Sequence, residues 1–309
     1  MRLENIILDN NLEVHILQPE TPAVNPYLAV LLAVVATAFS SIFTKLASAP
    51  PNVIAFYRLT FSVLLLAPLV LNSAGLRELR RISGRDLAMA TLAGVFLALH
   101  FALWIASLAL TSVASSTVLV TMQPLFVVTG GFFFFKEKIP LRGLAGGAVA
   151  LSGSVIIGLG DFQAGGQALW GDILAFSGAF MVAIYILIGR SLRSRLSLFP
   201  YVFLVYGTSA LFLLLINLAG RTPLYPYPGM DWVWFLALAV VPTILGHTVF
   251  NWALRYVKAA VVSVSILGEP VGATLMAYFI FKEDPGLLQI TGGLAIIAGL
   301  CVFILASRK

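Results

Sequence analysis

The sequence has one cysteine, three histidines and few charged residues. Asp, Glu, Lys and Arg make up only 10% of its 309 residues, whereas 60% are hydrophobic. The single Cys301 excludes an internal disulfide, and so few histidines and cysteines provide little material for a metal site. We expect no metal and no cofactor. A chain so poor in charge also lacks the polar surface of a soluble globular protein of this size.

Apolar runs of about 20 residues recur along the chain and predict membrane-spanning helices. Turn signals bound each run, and most connections between runs are short. The sequence therefore predicts an all-α integral membrane protein with ten transmembrane helices. These spans 1 to 10 are expected at 26–47, 51–72, 86–108, 113–135, 141–160, 169–190, 199–219, 231–254, 259–281 and 286–306.

Basic residues are concentrated in alternate loops, the pattern that orients a membrane protein with its positive side in the cytoplasm. Fifteen of the 19 lysines and arginines lie in one set of loops and at the two ends. The other four are Lys45, Arg58, Arg221 and Lys282. Both termini are therefore expected in the cytoplasm. Because the net charge of +6 follows this loop pattern, we expect the lipid bilayer as a partner and no nucleic acid.

Residues 1–25 are polar and precede the first apolar run. They lack the basic start, the apolar centre and the small-residue cleavage site of a signal peptide. We expect a loosely ordered cytoplasmic tail.

Two segments of the chain match each other. Residues 123–153 align without gaps on residues 269–299, at an offset of 146 positions. The matched positions include Pro124 with Pro270, Glu137 with Glu283, Gly146 with Gly292 and, with one residue of slippage, His100 with His247. A unit of five spans is odd, so two units cross the membrane in opposite directions. The sequence predicts two inverted repeats, 26–160 and 161–309, with a substrate site near the midplane between them.

Several motifs resemble a known family. They are "PPNVIAFYRLTFSVLLLAP" in span 2, "GDILAFSGAFMVAIYILIGR" in span 6, the prolines and Lys-Glu endings of spans 4 and 9, and the glycines of spans 5 and 10. Together they resemble the drug/metabolite transporter superfamily, in particular its EamA family of ten-helix exporters, over about residues 28–306. The resemblance implies export of amino acids, other metabolites or amphipathic drugs across a bacterial inner membrane. One departure is Gln123, which is uncharged at the position equivalent to Glu269.

Glu269 lies in the middle of span 9, where a charged carboxylate is costly. Ser265, Gly268, Gly272 and Met276 are expected on its face of the helix, which indicates a wet cavity or close helix contact. Pro270 breaks the backbone hydrogen bonding beside it. Glu269 is therefore either a buried structural carboxyl or a titratable site coupled to substrate or protons, and we favour the second.

Other polar and aromatic residues inside the spans are candidates for the cavity wall. His100 and Trp104 stand at i and i+4 in span 3, while Thr243, His247 and Asn251 share one face of span 8. A lone intramembrane histidine is usually structural, but two at matched repeat positions favour a cavity. Arg58 needs a partner, either a carboxylate of the protein or the anionic group of a ligand, and a purely structural role is also open. The full set expected at the cavity is Ser40, Arg58, His100, Trp104, Gln123, Tyr185, Tyr206, His247, Asn251, Trp252 and Glu269.

The glycines of spans 5 and 10 are expected to allow close helix packing, either within the chain or in a homodimer. The absence of a GxxxxGK[ST] motif excludes ATP hydrolysis by that route. The sequence offers no sign of an enzyme: we find no nucleophile beside a base, no pair of catalytic acids and no metal-binding cluster. The predicted function is secondary export of small organic molecules by alternating access. Aromatic or large apolar amino acids are the favoured substrates. The alternatives are hydrophobic cations or, less favoured, a passive channel or a membrane enzyme.

Overall fold

The computed structural model describes residues 21–111, 113–161, 166–282 and 286–307. Within these residues the protein is helical and contains no strand. The first half contains α1 (Pro26–Leu46), α2 (Pro51–Val70), α3 (Ser73–Arg81), α4 (Gly84–Ser107), α5 (Val113–Val120), α6 (Pro124–Phe135) and α7 (Leu141–Asp161). The second half contains α8 (Gly166–Leu192), α9 (Leu198–Ala219), α10 (Gly229–Leu238), α11 (Val249–Ala253), α12 (Ala259–Ser265), α13 (Glu269–Phe281) and α14 (Leu287–Ser307).

The helices confirm the predicted all-α membrane fold. In the described part of the chain, nine continuous or composite helices are long and apolar enough to cross a bilayer, and α7 adds the apolar stretch Leu141–Ile157. Spans 4, 8 and 9 are composite: α5 with α6, α10 with α11, and α12 with α13. Residues 1–20 of the expected tail lie outside the described residues, as do Glu283 and Asp284, two adjacent acids in the loop between spans 9 and 10.

Helix α3 was not expected from the sequence, which predicted only a connection between spans 2 and 3. Asn72 caps it by accepting hydrogen bonds from the backbone N–H groups of Ala74 and Gly75, each at 3.0 Å. None of its residues is buried, and its last turn carries Arg80 and Arg81. Because it is short and basic, a search for long apolar runs misses it.

The packing of the helices follows the predicted inverted repeat. Helix α4 packs on α8. The equivalent contact in the other half joins α1 to the middle of span 8, Ala239–Thr248, which is π-helical. The contact between α6 and α8 is likewise matched by that between α13 and α1. Helices α2 and α9 are equivalent to each other and pack together, as do α7 and α14. This pairing is the arrangement that a pseudo-two-fold axis produces.

The predicted glycine faces of spans 5 and 10 pack against each other inside the monomer. A Cβ atom on Gly153 would lie 2.5 Å from the carbonyl oxygen of Gly292, and one on Gly146 would lie 2.6 Å from the backbone nitrogen of Phe303. Small residues at this contact therefore let the two backbones approach closely. Gly153, Gly292 and Gly146 are therefore used for packing within the chain.

The basic loops meet at one face of the protein, here called the basic face. There Arg195 forms an ion pair with Asp86 at 2.9 Å, and the Lys258 ammonium donates to the carbonyl of Lys138 at 2.8 Å. The opposite face holds the contact of Asp231 with Ser48, whose backbone N–H donates at 3.0 Å and whose hydroxyl donates at 2.9 Å.

Candidate functional site

A cavity with about 580 Å³ of empty space lies between the two repeats. Its walls come from spans 1, 3, 4, 6, 8 and 9, so both halves contribute. The room that it offers to the centre of a water-sized group is about 40 Å³, well below the usual range of small-molecule sites, about 300–1,000 Å³, so the cavity is nearly closed in this structure. Eight of the residues expected from the sequence line it: Ser40, His100, Trp104, Gln123, Tyr185, His247, Asn251 and Glu269.

Two matched helix breaks reach this cavity. Span 4 is interrupted between α5 and α6, and span 9 contains a short 3₁₀ turn, Ile266–Gly268, before α13. Gln123 directly precedes Pro124, and Glu269 directly precedes Pro270. Proline has no N–H to donate and fits the first turn of a helix, which explains why a new helical segment begins at each break. The start of each half-helix, with its partial positive charge, therefore lies at the cavity.

Glu269 is half-buried at this break. Within the part of the chain that the structure describes, its carboxyl group forms no hydrogen bond and no ion pair. Gly272, on the same face of the helix as Glu269, packs against span 1: a Cβ atom on Gly272 would lie 2.6 Å from the Cβ atom of Ala38. Gly272 therefore provides close helix contact, and the carboxyl group of Glu269 lines the cavity.

Gln123, the repeat equivalent of Glu269, is only 2% exposed. Its Oε1 atom has no hydrogen-bond partner among the described residues. The two equivalent positions thus place one neutral amide and one carboxyl at the same cavity, each with unused hydrogen-bonding capacity.

Arg58 lies behind the cavity wall rather than in it. It is fully buried, donates from Nε to the Thr243 hydroxyl at 2.7 Å and from Nη1 to the Ser40 hydroxyl at 2.8 Å, and lies 4.1 Å from the centroid of the Phe101 ring. Ser40 and Phe101 both line the cavity. Arg58 therefore reaches the cavity through these two residues, and its charge acts on Glu269 through space rather than through a direct ion pair.

The histidines of the two repeats meet at the cavity. The ring centroids of His100 and His247 are 6.5 Å apart, and the Trp104 ring is parallel to that of His100 at 6.3 Å. His100 Nδ1 lies 3.0 Å from the carbonyl oxygen of Gly178. Because a carbonyl only accepts, this nitrogen carries the proton, and Nε2 of the neutral ring is an acceptor. The Trp104 indole N–H has no partner among the described residues.

Span 8 is π-helical over Ala239–Thr248, which changes the predicted face of Thr243, His247 and Asn251. The hydroxyl of Thr243 donates to Leu238, five residues earlier, at 2.8 Å. The wider turn directs Thr243 towards Arg58, while His247 and Asn251 line the cavity. Asn251 donates to the Tyr185 hydroxyl and to the carbonyl of His247. π-Helical turns are frequent at functional sites, but no residue pattern in the sequence reveals them.

Three of the residues expected at the cavity lie outside its lining: Arg58, Tyr206 and Trp252. Tyr206 is fully buried and shares a hydrogen bond of 3.0 Å with the Thr248 hydroxyl. Trp252 packs on Tyr256, with 4.9 Å between ring centroids. Trp252 follows Asn251 on the helix, but its side chain packs against Tyr256 instead of lining the cavity.

The lining also includes residues that sequence reasoning did not select: Thr37, Phe101, Thr121, Phe250 and several aliphatic side chains. Thr37 was recognisable, since it stands three residues before Ser40 and shares a polar face of span 1 with it. The apolar residues carry no such signal, because they are indistinguishable from lipid-facing ones.

Two arginines stabilise the cavity wall at the end nearest the basic face. Arg190 forms an ion pair with Glu137 at 3.1 Å and donates from Nη1 to the carbonyl of Leu254 at 2.6 Å. Arg193 donates from Nε to the carbonyl of Asn251 at 3.0 Å. Burial lowers the pKa of Arg193 to about 10, so it stays charged at neutral pH. Leu254 and Asn251 line the cavity, so these bonds hold its wall in place.

Inverted repeats, discontinuous helices and a polar cavity between the halves are typical of secondary transporters. The sequence agrees with this class: residues 25–159 and residues 169–305 each match the sequence model of the EamA-like transporter family. The chain belongs to this family.

Known relatives are also transporters by name. A transporter of Archaeoglobus fulgidus is 26% identical over 279 residues, covering 89% of this chain and 94% of the relative. The pseudopaline exporter CntI of Pseudomonas aeruginosa is 26% identical over 285 residues, covering 91% of this chain and 96% of that protein. The fold also matches that of a protein of known crystal structure, with a TM-score of 0.76. The two chains are 19% identical, and the match covers 92% of this chain and 98% of that protein's chain, which supports the fold.

Proposed function

We propose that this protein is a secondary transporter that exports small organic molecules by alternating access through the central cavity. The observation that carries the proposal is Glu269, whose carboxyl group lines a cavity at a helix break and has no hydrogen-bond or ion-pair partner among the described residues. Placing such a group inside a membrane is expensive unless it serves a function. The name of the pseudopaline exporter among its relatives supports the outward direction.

The favoured substrates are amino acids with aromatic or large apolar side chains. The aromatic residues at the cavity, Phe101, Trp104, Tyr185 and Phe250, suit a flat or bulky side chain. Glu269 suits its ammonium group. The starts of α6 and α13 offer their partial positive charge to its carboxylate.

Hydrophobic cations are a second candidate. Glu269 provides the one charged side chain among the described lining residues, since Arg58 stays behind Ser40 and Phe101. A cation with an aromatic body needs no site for a carboxylate, and the rings of the wall attract positive charge.

Glu269 is also the candidate for proton coupling. A carboxyl group that alternates between binding a proton and binding a substrate ammonium would exchange one for the other. Its repeat equivalent Gln123 does not ionise, so this exchange would use one half of the protein.

Counterflow in proteoliposomes tests the proposal. Vesicles loaded with unlabelled compound are diluted into labelled compound, with phenylalanine and a lipophilic cation tested separately. A carrier concentrates the label transiently, whereas a channel only equilibrates it. Accumulation of phenylalanine supports the amino-acid proposal, accumulation of the cation alone supports the second candidate, and equilibration without accumulation contradicts alternating access.

A further inference from the structure

A second polar site lies on the side of the protein, away from the central cavity. A groove with about 950 Å³ of empty space is formed by α5, α7 and α8. Most of its wall is apolar, and Leu159 and Leu169 in it are 61% and 48% exposed. Exposed leucines on transmembrane helices face lipid, so the groove opens sideways towards the bilayer.

One acid, Asp172, lines this largely apolar groove, together with Ser115 and Ser177. Its Oδ1 atom accepts hydrogen bonds from the hydroxyl groups of Thr111 at 2.9 Å and Ser115 at 3.0 Å. These two bonds fix the orientation of the carboxylate. Its Oδ2 atom is buried and has no hydrogen-bond partner among the residues that the structure describes. An unpartnered oxygen of a buried carboxylate is costly, which indicates a missing donor.

The depth of Asp172 indicates what kind of molecule supplies that donor. Asp172 is about 9 Å along α8 from the first residue, given the helical rise of about 1.5 Å per residue. Helix α8 has 27 residues and is therefore about 40 Å long, longer than the hydrocarbon core of about 30 Å. Asp172 thus lies near the boundary between head groups and hydrocarbon. The apolar wall continues from it towards Met122 and Phe176, deeper in the membrane.

We propose that this lateral groove binds a phospholipid whose head group carries a primary ammonium. The ammonium donates to Oδ2 of Asp172, and an acyl chain lies along the apolar wall towards Met122. A choline head group has no N–H to donate, and an anionic head group is repelled by the carboxylate. This site is independent of the transport proposal, because none of its residues lines the central cavity.

A second lateral groove provides an internal comparison. It has about 620 Å³ of empty space near α6 and α7 and includes Leu144 and Val128, but no charged side chain. An acyl chain can lie in it without any preference for the head group. A preference for ammonium lipids would therefore come from the groove of Asp172.

Native mass spectrometry of the delipidated full-length protein tests the proposal. Phosphatidylethanolamine, phosphatidylcholine and phosphatidylglycerol with identical acyl chains are added, and bound lipids are counted. We expect phosphatidylethanolamine to bind about tenfold more tightly than phosphatidylcholine, the difference typical of one hydrogen bond to a charged group. Equal binding of these two lipids would overturn the proposal.

Variants assign the preference to the groove. Asp172→Asn keeps the acceptor for Thr111 and Ser115 but replaces Oδ2, so the preference should disappear. Val155→Trp fills the groove without touching the carboxylate and should have the same effect. Leu144→Trp in the other groove and Asp231→Asn, whose two oxygens already accept from Ser48, should leave the preference intact. A preference that survives both Asp172→Asn and Val155→Trp contradicts the site. A dimer lost in Val155→Trp would identify a second copy as the occupant instead.

Discussion

The imidazole rings of His100 and His247 meet inside the protein, with 6.5 Å between their centroids and 61° between their planes. The two residues occupy equivalent positions in opposite halves of the chain. Contact between equivalent residues places the pseudo-two-fold axis close to both. The cavity that they line is therefore at the interface of the repeats, where alternating-access transporters bind substrate.

Trp104 and Trp252 should behave differently in binding assays. Trp104 lines the cavity, whereas Trp252 packs on Tyr256 outside it. Trp104→Ala should weaken binding of an aromatic substrate by about 1 kcal/mol, or about fivefold, because stacking is lost. Trp252→Ala serves as the matched control. Titration calorimetry in detergent measures both, and equal losses would show that the cavity lining does not determine affinity.

Neighbouring glycines of α7 allow a test of the repeat interface. A Cβ on Gly153 would lie 2.5 Å from the backbone of Gly292, whereas one on Gly147 would have its nearest neighbour, Phe303, at 3.6 Å. Gly153→Ala should therefore destabilise the protein by about 1–3 kcal/mol through overpacking, and Gly147→Ala should be nearly neutral. Thermal unfolding in detergent measures the difference. Similar midpoints for the two variants would contradict close packing of α7 on α14.

The hydrogen bond between Arg58 and Thr243 should contribute to stability. Thr243→Val removes the acceptor of Arg58 Nε and should cost about 1 kcal/mol, within the range measured for buried side-chain hydrogen bonds in membranes. Thr60 is the matched control, because its hydroxyl has no partner among the described residues. Thr60→Val should leave the unfolding midpoint unchanged or raise it. A larger loss in Thr60→Val than in Thr243→Val would contradict the assigned bond.

The basic face is predicted to be cytoplasmic. In a background with Cys301→Ser, cysteines introduced at Ser194 and Gly84 should react only from inside the cell. A cysteine at Gly229, on the opposite face, should react only from outside. Gly84 and Gly229 have open space around a new Cβ, so the substitutions should not disturb packing. An impermeant maleimide added to intact cells distinguishes the two sides, and labelling of Ser194→Cys in those cells would reverse the orientation.

The spans could be predicted from the sequence because hydrocarbon imposes long apolar runs and charged loops. The inverted repeat was also visible, since Pro124 and Pro270 and the glycine pairs recur at one offset. Helix α3 was missed because a short, basic helix does not stand out in a search for long apolar runs.

The details of the candidate site depended on local geometry. The π-helical turns of span 8 turn Thr243 towards Arg58, and a helical wheel of constant pitch does not predict that change. Trp252 packs on Tyr256 outside the cavity, a side-chain contact that the spacing of residues along the helix does not predict. Arg58 was recognised as a buried charge, but its neutral partners Ser40 and Thr243 were not, because hydroxyls carry no charge pattern.

The most direct test of the proposed function replaces the carboxyl group of Glu269. Glu269→Gln keeps the size and polarity of the side chain and removes its charge. Substrate efflux from proteoliposomes is measured over a range of pH for the wild type, for Glu269→Gln and for the control Glu78→Gln, whose acid binds the backbone of Ser197 at the basic face. We predict that Glu269→Gln inserts normally but loses either most of its transport or its dependence on pH, while the control matches the wild type. A Glu269→Gln protein with wild-type transport at every pH would contradict the account and leave Glu269 as a structural residue.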